Sequence, residues 1–215
     1  FNEIYTGDIR DGAYGGCKSY AIIYECTDCK VQRLREEDCI PDDFYETGVY
    51  RKQLKESLDS NNSVIKQDEM QHHTLQAFFP KSLRGLKVLD VGCAAGSLLD
   101  MLKNISSSQL GVEPCGQYLK SLLKRGYQVY PDLSKAIKND KETVDYGFSI
   151  QVIEHVKDPV YFLAQIKKLI KPGGRLLIST PNRDDILMTL LKDKFYRFFY
   201  RTQHRWYFNE SSIVK

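Results

Sequence analysis

The chain has 215 residues, 42% hydrophobic and 27% charged, with a formal net charge of +3. That composition fits one globular α/β domain plus an extension and excludes disordered, fibrous and disulfide-dense classes. No apolar run approaches the roughly 18–20 residues a membrane helix needs, no secretory leader is visible, and six scattered cysteines suit a reducing, cytoplasmic setting. The charge is uneven: residues 1–84 hold 11 Lys/Arg against 15 Asp/Glu, and residues 85–215 hold 20 against 13. The excess in the second half is too small to imply a nucleic-acid partner.

In chain order, the first residues are rich in glycine and turn formers. Tyr20–Cys26 is β-branched and aromatic, as a strand is, and Val31–Leu34 follows as a return strand. Residues 41–60 are polar with a helical tendency, Asn61-Asn62-Ser63 is expected to be a loop, and a helix over 67–79 is expected to stop at Pro80. From residue 86 the pattern alternates. Strands are predicted at 86–91, 109–113, 127–130, 144–149 and 175–180. Helices are predicted at 97–104, 116–125, near 133–138 and at 158–170, with a turn at Pro172-Gly173-Gly174. Repeated β-α units of this length mean a doubly wound, mainly parallel, Rossmann-like α/β sheet. Ligands in such sheets bind beyond the carboxyl ends of the strands. The expected division is a 1–80 extension covering the active site and an 81–215 ligand-binding domain. A final helix capped by Asn209 suggests a domain that continues, within a larger multidomain protein.

The chemistry is concentrated in a few short stretches. Val88-Leu89-Asp90-Val91-Gly92-Cys93-Ala94-Ala95-Gly96 is a strand, a tight turn and a helix start. Such a turn brings backbone N–H groups against a nucleotide-like ligand, and glycine is needed where φ is positive or a Cβ would intrude. The alternative is an ordinary strand-to-helix turn. Glu113 ends the next strand, 23 residues after Asp90, where an acid can accept from ribose hydroxyls. Asp132 follows the third strand and would serve equally as a helix N-cap.

The spacing Gly92-x-Ala94-x-Gly96 after Asp90 differs from the G-x-G-x-x-G pyrophosphate motif. It resembles the first motif of class I S-adenosylmethionine-dependent methyltransferases, with Ala94 where glycine is commoner. Glu113-Pro114, Asp132-Leu133, the Ser149–Val156 stretch and the Leu169–Asn182 stretch follow in that family's order, so the resemblance covers residues 85–182. It implies that Asp90, Gly92, Cys93, Ala94, Gly96, Glu113, Pro114, Asp132, Leu133 and Gln151 hold S-adenosylmethionine, which is spent as S-adenosylhomocysteine. Glu154-His155 resembles the subset that includes 3-demethylubiquinone, small-RNA and sugar O-methyltransferases. In the first two of these an E-x-x-E-H pattern binds a divalent metal; here Gln151 replaces the first Glu, and His204 is the one later histidine. Glu154, His155 and His204 are therefore the expected catalytic groups, with His155 as proton acceptor; the competing role for His155 is packing at a helix entry.

Some sugar methyltransferases also carry an N-terminal zinc module with two C-x-x-C pairs. This chain has one, Cys26–Cys29, and isolated Cys17 and Cys39, so the options are a four-thiolate site or buried thiols of a hairpin. The segment 192–208 interleaves aromatics with five Lys/Arg and one acid, as an acceptor cover or as a docked amphipathic helix. Tyr45, Tyr50, His72 and His73 are further candidates to close over the cofactor. The expected function is methyl transfer to a sugar hydroxyl of a glycan. The alternatives are a quinone-like phenol, an RNA 2′-hydroxyl, or a non-catalytic scaffold domain.

Overall fold

A computed structural model describes residues 1–11, 16–46, 61–78 and 82–214. They form two compact units: one of Phe1–Asp42, Gln151–Pro159 and Ser179–Lys215, the other of Asp43–Ile150 and Val160–Ile178. This grouping differs from a division at residue 80, since the carboxyl-terminal segment clusters with the amino-terminal one. Among the described residues no helix is long and apolar enough to cross a membrane.

The larger unit is the expected α/β sheet. Helix α1 (Asn61–Phe78) precedes β4 (Lys87–Val91), α2 (Ser97–Leu102), β5 (Ser108–Val112), α3 (Gly116–Lys124), β6 (Gln128–Tyr130), α4 (Leu133–Asp140), β7 (Val144–Ile150), α5 (Pro159–Lys167) and β8 (Ile170–Ser179). The strand order is β6-β5-β4-β7-β8, and β4 pairs in parallel with β5 and β7, as β5 does with β6. Central strands of such a sheet are covered on both faces and so are apolar nearly throughout. Val88, Leu98, Leu102, Phe148 and Ile150 form one cluster, and Cys93, Leu99, Leu122, Tyr127 and Val129 another. Burying side chains of this size contributes about 1.5–3 kcal/mol each.

Two expectations fail in this unit. Asn61-Asn62-Ser63 opens α1 instead of forming a loop; the Pro80 stop and Tyr50 lie outside the described residues. Pro172-Gly173-Gly174 stays within β8, which begins at Ile170, with Gly173 at φ +80°. A left-handed glycine kinks a strand without ending it.

The smaller unit is a four-stranded sheet, β1 (Asn2–Asp11), β2 (Gly16–Glu25), β3 (Gln32–Leu34) and β9 (Trp206–Tyr207), antiparallel at each pairing. Helices α6 (Ile186–Leu191), α7 (Asp193–Phe199) and α8 (Glu210–Ile213) belong to it. Strand β1 replaces the turns expected at the start of the chain. Ile9, Ala21, Ile23 and Leu34 pack with Phe199, Tyr200 and Tyr207. The aromatics of 192–208 are thus chiefly core, although Phe198 remains exposed. Asn209 caps α8 in a reciprocal capping box with Ser212, as expected.

Candidate cofactor and catalytic site

The glycine loop leaves β4 through alternating left-handed residues: Gly92 at φ +80°, Ala94 at +47° and Gly96 at +87°. Glycine tolerates this region freely, whereas Ala94 carries a cost of about 1–2 kcal/mol. A Cβ on Gly96 would collide with Leu122 Cδ2. The loop is folded around protein acceptors. Gly92 and Cys93 N–H donate to Val112 O (2.8 and 3.2 Å), and Gly96 N–H donates to Cys93 O (2.8 Å). Ala94 N–H donates to Glu113 Oε2 (2.7 Å), and Cys115 N–H donates to Glu113 Oε1 (2.8 Å). The acid expected to meet ribose therefore also fixes the turn.

Helix α1 adds two contacts that sequence reasoning missed. Ala95 N–H donates to Gln67 Oε1 (3.3 Å), and Ser97 Oγ donates to Asp68 Oδ1. No motif or periodicity marks Gln67 or Asp68; only the docking of α1 on α2 shows them.

Asp90 and Glu113 are buried at the ends of neighbouring strands. Burial, and next the Glu113 carboxylate, pushes the Asp90 carboxyl up to about 7. Burial and then Asp90 push the Cys93 thiol well above its ordinary range. Two acids held together out of water form an acceptor set, suited to a ligand that brings a cation and hydroxyl donors. The α-ammonium and ribose diol of S-adenosylmethionine are such groups, so the residues fit that cofactor. Asp132 takes its other expected role: its Oδ1 accepts from Lys135 N–H (2.8 Å) and caps α4, where Leu133 is buried. Pro114 is exposed between Glu113 and α3.

In the smaller unit the three expected catalytic groups meet. Ligand atoms of Glu154, His155 and His204 lie within 4.8 Å of one another. The His155 and His204 rings pack edge to face, 4.8 Å apart. His155 Nδ1–H donates to Gln203 O (2.8 Å), which leaves Nε2 as the lone-pair nitrogen, 3.9 Å from Glu154 Oε1. The stitching is backbone: Arg205 and Trp206 N–H donate to Glu154 O (2.8 and 3.2 Å), and Trp206 Nε1–H donates to Val156 O (2.9 Å). Glu154 is fully buried, and among the described residues neither carboxylate oxygen has a hydrogen-bond partner. Burial raises its carboxyl to about 7, holds His155 down to about 4, and puts His204 well below the usual histidine range. A buried carboxylate with open lone pairs beside two neutral imidazoles fits a divalent cation.

The remaining candidates have the following surroundings. Gln151 sits at φ +56°, exposed, with its N–H on Ser179 O (2.9 Å). The four-thiolate reading fails: Cys17 Sγ accepts from Arg197 (3.6 Å), Cys39 Sγ donates to Arg35 O (3.4 Å), and among the described residues the cysteines form no group of three or more. Arg205 is paired with Glu36 and Asp42, so it is structural. Tyr45 packs on Phe44, and His72 and His73 are exposed on α1.

Known proteins resemble the chain. It is 32% identical to the human mitochondrial ubiquinone biosynthesis O-methyltransferase over 120 residues, 51% of this chain and 32% of that one. It is equally 32% identical to the ubiquinone biosynthesis O-methyltransferase of Dinoroseobacter shibae over 113 residues, 49% and 45% of the two chains. The chain thus spans a third to a half of the length of these relatives. Among solved structures, a SAM-dependent methyltransferase from Archaeoglobus fulgidus superposes with a TM-score of 0.55 at 19% identity, covering 77% of this chain and 69% of that one. The PH0226 protein from Pyrococcus horikoshii gives 0.52 at 18%, covering 74% and 81%; both likenesses concern the fold. The family described as "Methyltransferase domain" matches residues 64–215. That match runs from α1 through the glycine loop, both strand-end acids and the Glu154–His155 turn, and the chain belongs to the class I S-adenosylmethionine-dependent methyltransferases.

Proposed function

We propose that this protein is an S-adenosylmethionine-dependent O-methyltransferase acting on a quinone-like phenol. The buried pair Asp90 and Glu113 carries the cofactor assignment, because it needs a cationic, hydroxyl-bearing ligand to offset its burial. The ubiquinone-pathway names of the relatives favour a phenolic acceptor over the sugar hydroxyl expected from sequence.

When bound, the cofactor supplies an electrophilic methyl group on a sulfonium. Asp90 would hold its α-ammonium, and Glu113, which also braces the loop, would hold its ribose hydroxyls. The acceptor oxygen must lose a proton. A phenol ionises near pH 10, as tyrosine does. Burial weakens His155 as a base for it, holding it down to about 4, and strengthens Glu154, raising it to about 7. Glu154 is therefore the proton acceptor and His155 Nε2 the group that orients the hydroxyl, which reverses the order expected from sequence. Glu154, His155 and His204 are also the residues that would hold a divalent cation, whose charge would lower the phenol's affinity for its proton.

Labelled S-adenosylmethionine and a panel of catechols, sugars and RNA test the reading. Transfer to the catechol is expected. Glu154→Gln should lower kcat by about 10²–10⁴ with S-adenosylhomocysteine affinity nearly unchanged. Transfer to sugar or RNA alone would overturn the acceptor. Absence of S-adenosylhomocysteine binding would overturn the enzyme.

A further inference from the structure

We infer that Gln67 is a further cofactor-binding residue, whose side-chain amide holds the carboxylate of the amino-acid end of S-adenosylmethionine; this rests on the cofactor assignment above. Loops of this kind are expected to present backbone N–H groups to the ligand. Here the amides of Gly92, Cys93, Ala94, Ala95 and Gly96 all donate to protein acceptors. None of these five is left over for a cofactor carboxylate, so a further donor beside the turn is called for.

Gln67 supplies one. It is 7% exposed on α1, and its Oε1 accepts from Ala95 N–H at 3.3 Å. That bond fixes the orientation of the amide: the atom facing an N–H must be the oxygen, so the other is the NH₂ donor. Among the described residues this buried Nε2 has no hydrogen-bond partner. An orphaned buried donor is costly, and such groups are rare unless something else completes them. Four residues on, so on the same helix face, Gln71 Oε1 is a buried acceptor, also without a partner among the described residues. One donor and one acceptor on one face match the carboxylate and ammonium of a single amino-acid group. Asp68, which accepts from Ser97 Oγ, anchors the same turn of α1 to the start of α2, so the amide is held in place before the ligand arrives.

Calorimetry with S-adenosylhomocysteine and its decarboxylated analogue separates a carboxylate contact from simple bracing of the loop. Gln67→Leu should weaken S-adenosylhomocysteine about tenfold or more and leave the decarboxylated analogue within twofold. Gln67→Glu keeps an oxygen for Ala95 N–H and sets a negative charge in place of Nε2. It should cost S-adenosylhomocysteine more than Gln67→Leu does, while sparing or improving the analogue, and it keeps the test open if the leucine variant misfolds. Equal losses for both ligands, or none for either, would overturn the inference. Wild-type protein that binds neither ligand would instead overturn the cofactor assignment beneath it.

Discussion

Asp90 shows how a single side chain links stability to binding. Its carboxyl is raised from the ordinary range to about 7 by burial and by Glu113, so the folded state holds a proton that the unfolded chain releases near pH 4. The stabilisation this gives is complete below pH 4 and is lost as pH rises through 7. At pH 8 the ligand-free protein carries a buried charge, and Asp90→Asn should stabilise it by about 1–3 kcal/mol while weakening S-adenosylhomocysteine at least tenfold. Binding an ammonium expels the proton, so wild-type affinity should fall by up to tenfold per pH unit below about 7. Titrations between pH 5.5 and 8 in buffers of different ionisation enthalpy measure both. A pH-independent affinity would show that Asp90 does not meet the ammonium. The spacing of Asp90 and Glu113 made them legible in the sequence, because a strand-end acid and its neighbour follow from the β-α repeat. Gln67 and Asp68 were not legible, since their role depends on where α1 docks and no local pattern encodes that.

Secondary elements divide in the same way. The β-α repeat was readable because strands covered on both faces are continuous apolar runs and their helices alternate at a regular spacing. Strand β1 was not readable: only Ile9 of its ten residues is buried, and the strand is held by its ladder to β2. Two-residue β9 has no periodicity and exists because β3 offers it an edge. The glycine loop was readable in residue type but not in the direction of its amides, which long-range acceptors decide. Its central demand is testable with paired glycines. Gly96→Ala puts a methyl at φ +87° against Leu122, and should cost about 2–4 kcal/mol and abolish cofactor binding. Gly116→Ala, at the first residue of α3, where among the described residues the new Cβ meets nothing within 4 Å beyond its chain neighbours and its own helix backbone, should change stability by less than about 0.5 kcal/mol. Denaturant midpoints for the two variants read the difference directly, and equal midpoints would sink the steric account of the loop.

At the scale of the whole molecule, chain order and spatial order part company. The smaller unit is assembled from three separate segments, and its core joins strands from the first 34 residues to Phe199, Tyr200 and Tyr207. The Glu154–His155–His204 group exists only because this assembly brings residue 204 back to residue 154, through the bonds of Arg205 and Trp206 to the Glu154 carbonyl. Metal binding is therefore a probe of that long-range closure. A cation that binds the folded state alone stabilises it by about 2.7 kcal/mol at a hundredfold excess over Kd, which in a chain of this length is a rise in Tm of about 5–10 °C. Titration with Mg²⁺, Mn²⁺ and Zn²⁺ should show such a rise for at least one ion. The rise should vanish in His204→Ala and shrink in Tyr207→Ala, which leaves every ligand in place but removes a buried ring packed against His204 (centroids 5.9 Å apart). A rise that survives His204→Ala would place the ion elsewhere. No rise with any of the three would leave Glu154, His155 and His204 to handle the acceptor's proton unaided.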